Sequence, residues 1–79
     1  MKTLKRIENE VDKFNEQHEM YEPITADPSQ LARSCADEIV EEQSRFIHFI
    51  LDNEEWEITY HQHTNGIWMA HLHSYKVDN

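Results

Sequence analysis

The chain has 79 residues, room for one domain, and a fold of this size buries only about 60% of its unfolded surface. Sixteen Asp and Glu against seven Lys and Arg give a net charge of −9, which argues against direct nucleic-acid binding, since phosphate contacts need a basic footprint. One Cys excludes an internal disulfide framework, one Gly excludes a Gly-rich phosphate loop, and no apolar run approaches the roughly 18 residues of a membrane span.

Leu, Ile, Val and Phe make up about 22% of the residues, close to the disorder range for so charged a chain. Two Trp, three Tyr and three Met return it to the globular class despite a mean hydropathy of −0.86. The first residues have no apolar stretch of signal-peptide type, and with a lone thiol this points to the cytoplasm. The expectation is one α+β domain over 1–79, with two N-terminal helices followed by a three-stranded antiparallel meander (ααβββ).

Residues 1–22 read as an amphipathic helix. Leu4, Ile7, Val11, Phe14, His18 and Tyr21 recur at alternating intervals of three and four, a narrow helical stripe. Thr3 is a candidate N-cap. The stripe suits a helix lying on its own sheet and equally a coiled-coil seam with a second copy.

Pro23 and Pro28 bracket a break, and Asp27-Pro28-Ser29-Gln30 reads as a helix start. A second helix over 27–43 would place Leu31, Ala32, Cys35, Ala36, Ile39 and Val40 on one apolar face. Its back would carry Asp37, Glu38, Glu41 and Glu42 as two like-charged i,i+4 pairs, relieved by Arg33 and Arg45. Such a strip is either a solvated helix back or an electronegative surface for a basic partner, with Glu54 and Glu55 extending the field.

From Phe46 the apolar period changes to two, and residues 45–75 read as a sheet with strands at 45–51, 56–63 and 67–75. Asp52-Asn53-Glu54-Glu55 would make the first turn and Thr64-Asn65-Gly66 the second. A two-residue Asn-Gly loop would scatter apolar residues over both faces. A three-residue loop with a left-handed Gly66 gathers Trp68, Ala70 and Leu72 beside Trp56, Ile58 and Tyr60, with Ile47, Phe49 and Leu51 joining them. This is the expected core face.

The other face would then hold the rows Phe46–His61–Met69, His48–Thr59–His71 and Ile50–Glu57–His73, with His63 and Ile67 at its margin. Five of the six histidines lie here among apolar side chains. Phe46, His48, Ile50, Ile67 and Met69 form a candidate interface, covered either by the first helix or by a second subunit. An interface of this kind is expected to weaken as the histidines charge below pH 7. His61, His71, His73 and Glu57 could supply the three nitrogens and one oxygen of a zinc site.

Catalytic chemistry finds little support. Cys35 sits on an apolar stripe with no histidine at helical spacing, the turn glutamates lack a built environment, and Ser29, Ser34 and Ser44 have no motif context. The residues therefore favour a small acidic, non-enzymatic protein that binds the basic, nucleic-acid-binding surface of a larger partner. Its profile is that of a nucleic-acid mimic among phage or mobile-element anti-defence inhibitors of the anti-CRISPR type. A structural or regulatory homodimer, joined through the first helix or the histidine face, and a histidine-rich metal-binding module are the alternatives.

Overall fold

The computed structural model of the chain describes residues 2–18, 29–63 and 66–75. In chain order these form α1 (Lys2–His18), α2 (Ser29–Cys35), β1 (Glu38–Gln43), β2 (Phe46–Leu51), β3 (Glu54–Gln62) and β4 (Trp68–Ser74). The strands make one antiparallel sheet in the order β1-β2-β3-β4. The α+β class with two leading helices therefore stands, with four strands in place of three. Tyr21, Pro23, the Asp27-Pro28 cap, Thr64 and Asn65 lie outside the described residues.

The apolar stripe of α1 is buried within the chain's own core. Ile7, Val11, Phe14 and His18 are buried, Leu4 packs against them, and the helix lies chiefly on β4. This is the first of the two roles the spacing allows. Thr3 is not an N-cap, because the helix already includes Lys2; its hydroxyl donates to Asp52 Oδ2 at 3.0 Å and ties the helix to a distant turn.

The second helix is much shorter than its apolar spacing predicts. Leu31, Ala32 and Cys35 are buried as expected, and Ala36 packs on the core, but the helix ends at Cys35. Asp37 redirects the chain: its amide donates to the Ile50 carbonyl at 2.8 Å, and its carboxylate accepts the Asp52 amide at 2.9 Å. Residues 38–43 then pair with β2 as a strand. Ile39 and Val40 are β-branched and favour extended backbone, whereas a helix here would stack Asp37 over Glu41 and Glu38 over Glu42. Both aliphatics leave the core, with 37% and 48% exposure. The register shifts between Ile39 and Glu41, so Val40 sits in a bulge.

The first β-hairpin of the expected sheet also turns more tightly than expected. Asp52 and Asn53 make a two-residue turn, both with positive φ (51° and 64°), the backbone of a type I′ turn that Asp and Asn tolerate. Phe46, His48 and Ile50 consequently face Thr59, Glu57 and Glu55, each displaced by two residues from the expected partners His61, Thr59 and Glu57. A slip of two keeps every side chain on its face. The second hairpin has the expected register, with Tyr60 opposite Ala70 and Ile58 opposite Leu72, and Gly66 at φ 86°.

Ile47, Phe49, Leu51, Trp56, Ile58, Tyr60 and Ala70 are buried on the predicted core face, with Trp68 and Leu72 partly buried beside them. Both helices cover this face. The first helix therefore does not cover the histidine-bearing face, which carries no helix among the described residues.

Candidate binding face and open sheet edge

The alternation of the strands sorts the polar residues of the uncovered face into two regions. Glu38, Ile50 and Glu55 form one row across the sheet, continued by Tyr75, whose amide donates to the Glu55 carbonyl at 3.1 Å. Glu41, His48, Glu57 and His73 form the next. Gln43, Phe46, Thr59 and His71 follow, and His61 pairs with Met69 beyond them. The carboxylates thus gather toward β1 and the Asp52-Asn53 turn, and the imidazoles gather on β3 and β4.

The acidic region is organised around an aromatic pair. His48 stacks on Tyr75 with ring centroids 4.0 Å apart, and its Nε2 lies 3.2 Å from Glu55 Oε1. The Tyr75 hydroxyl donates to Glu57 Oε1 at 2.6 Å. That hydrogen bond, with partial desolvation and the charges of Glu57, Glu41 and Glu55, pushes the phenol up to about 12. Tyr75 belongs to the uncovered face but was not among the residues expected there, although the expected strand 67–75 includes it. Its signal was the alternation of β4, which carries His71 and His73 to the same face.

In the histidine region, His61 Nδ1 and His71 Nε2 are 3.0 Å apart, with rings 11° from parallel. His63 meets His61 edge-on at 4.9 Å between centroids. Partial desolvation, then the neighbouring His71 and His63, holds the His61 imidazole below its ordinary value. His73 bonds through Nε2 to the Thr59 hydroxyl at 3.2 Å, while Glu57 is engaged by Tyr75. The four residues expected to share a metal therefore divide among separate contacts. Among the described residues no group of three or more His, Cys, Asp or Glu side chains is placed to hold an ion. Phe46, His48, Ile50, Ile67 and Met69 are all half-buried.

The acidic residues expected on a helix back are here distributed over a strand and its approaches. Glu38 and Glu41 share the uncovered face. Glu42, opposite Ile47, points to the helix side, where Arg33 Nη2 reaches both carboxylate oxygens at 2.6 Å. Asp37 is spent on the hydrogen bonds that begin β1. Glu55 belongs to the acidic face, and Glu54 closes the turn opposite Leu51.

The two edges of the sheet differ. On β4, Asn15 of α1 donates through Nδ2 to the Ala70 carbonyl at 3.1 Å and accepts the Ala70 amide on Oδ1 at 2.7 Å. One side chain thus seals the outward backbone groups of that position. On β1 all six residues are exposed, and among the described residues no strand pairs with its outer side. A concave pocket of about 350 Å³ opens at the end of this strand, with Arg33, Glu42, Gln43, Ile47, Tyr60 and Trp68 in its lining.

Cys35 is buried, and burial, reinforced by Glu10 and opposed by Arg6, pushes its thiol up. No helix among the described residues is long and apolar enough to cross a membrane. No protein-family model matches the chain, and neither does any curated protein or solved structure at a significant level.

Proposed function

We propose that this chain is a small acidic, non-enzymatic binding protein that occupies the basic, nucleic-acid-binding surface of a larger partner. The observation that supports it is the gathering of Glu38, Glu41, Glu55 and Glu57 on one uncovered sheet face beside the open strand β1. A net charge of −9 draws such a partner in over long range, and the half-buried Ile50 and Phe46 provide the short-range contact. The setting in which this profile makes sense is inhibition of a defence nuclease or CRISPR complex by a phage or mobile-element protein, working in the cytoplasm.

The test is a displacement assay with a purified CRISPR effector carrying a labelled oligonucleotide. Added in slight excess, the protein should release the oligonucleotide, less so as salt rises. Glu38→Lys with Glu41→Lys should weaken release by about tenfold or more, since each reverses a charge on the face. Unchanged release by that double variant counts against the acidic face as the contact surface.

The second reading is a homodimer through the same face. It is favoured by one observation: the apolar stripe of α1 is already buried, while Phe46, Ile50 and Met69 stay only half-buried on the uncovered face and could meet a second copy. Sedimentation at several concentrations separates the two, because only a dimer changes mass with dilution.

A further inference from the structure

We infer that β1 is a docking edge onto which an extended segment bearing Lys or Arg adds as a fifth strand; this rests on the reading that the acidic face engages a basic partner. The two sheet edges support it by contrast. At β4 the outward amide and carbonyl of Ala70 are both taken by Asn15. At β1 the Ser44-Arg45 turn makes Gln43–Phe46 the closing pair, and the alternation of an antiparallel ladder then turns the amide and carbonyl of Glu42 outward. No described residue takes them up.

Edges left open in folded proteins are usually blunted by lysine, proline or covering structure. β1 has neither lysine nor proline, and all six of its residues are exposed. Among the described residues its guards against association are the bulge at Val40 and the negative charge of Glu38 and Glu41, with Glu42 already paired to Arg33. That charge selects the occupant. A second copy pairing through β1 would bring Glu38 and Glu41 of each chain into one seam, whereas a cationic segment meets attraction at both. The bulge at Val40 bends the edge, which disfavours a flat stack of identical strands and leaves a flexible segment free to follow.

Both sides of the added strand find contacts. Side chains on the uncovered face fall beside Glu38 and Glu41. On the helix side, the residue opposite Glu42 lies at the mouth of the 350 Å³ pocket. An aliphatic stem there packs over the partly buried Trp68 while its cation meets Glu42, which Arg33 now holds.

The experiment uses the full chain and two synthetic octapeptides of alternating Lys and Val, one ordinary and one N-methylated at every residue. Both carry the same charge; only the first keeps backbone donors. Calorimetry at low salt should show the ordinary peptide binding about tenfold or more tightly, with amide exchange of Glu42 slowed only by it. Equal binding of both overturns strand addition and leaves the acidic-surface reading in place. Binding of neither overturns both, and equal binding of a Glu-Val octapeptide overturns the charge selection.

Discussion

Trp56, 6% exposed near the start of β3, and His18, 4% exposed at the end of α1, are both buried. Removing the indole leaves a cavity too large for a small domain to close, so Trp56→Ala should cost about 3–5 kcal/mol in denaturant unfolding. Trp68→Ala should cost less, because that ring is only partly buried. His18 stacks on Phe14 at 3.8 Å, and its Nδ1 is buried with no hydrogen-bond partner among the described residues. Burial holds its imidazole below the ordinary value in the folded chain, whereas the unfolded chain titrates near about 6.5. The unfolded state then binds more protons as pH falls through that region, so stability is full above about 6.5 and drops below it. Thermal melts from pH 7.5 to 5 should show this loss, reduced but not abolished in His18→Leu, since His61 is lowered as well. A variant with the same pH slope as the wild type would remove His18 from the account. At this scale the sequence was informative: each large apolar residue of β2, β3 and β4 lies on the face its alternation predicts. The exception came from Asp52 and Asn53, whose tolerance of positive φ allows a tighter turn than four polar residues in a row imply.

The elements show where local pattern and long-range pairing disagree. Residues 31–40 have helical apolar spacing throughout, yet only the first half is helical, because β2 offers residues 38–43 hydrogen bonds that local sequence cannot reveal. The mispredicted half is also the candidate edge. Glu38 and Glu41 were identifiable as surface acids from sequence, but their common face follows from the bulge at Val40, which returns Glu41 to the face of Glu38, and not from a helix back. Asn15 was invisible for a related reason: between stripe positions on α1 it reads as solvent-facing, and its partner Ala70 is 55 positions away. Asn15→Ala should destabilise the chain by about 1–3 kcal/mol, since the Ala70 amide and carbonyl lose their partner in a half-buried setting. Hydrogen exchange should locate the effect at Ala70 and its neighbours on β4. Protection unchanged at Ala70 would show that the edge is sealed by something else.

Taken as a whole, the molecule has one face committed to its core and one left uncovered, divided into a carboxylate region near β1 and an imidazole region on β3 and β4. The composition made the excess of acid plain, and the alternation of the strands placed the histidines together. The contribution of β1 to the acidic region, and the seating of Tyr75 over His48 with its hydroxyl on Glu57, depend on pairings that only the folded sheet supplies. Acidic side chains also lie on α1, where Glu8, Asp12 and Glu16 face solvent, so the presence of carboxylates alone does not single out a binding surface. The central claim is that the β1 side of the uncovered face is the contact surface. Two-dimensional amide NMR during titration with the Lys-Val octapeptide tests it most directly. The account predicts shifts concentrated at residues 38–43 and at Glu55 and Glu57; shifts centred on the exposed acids of α1 would contradict it.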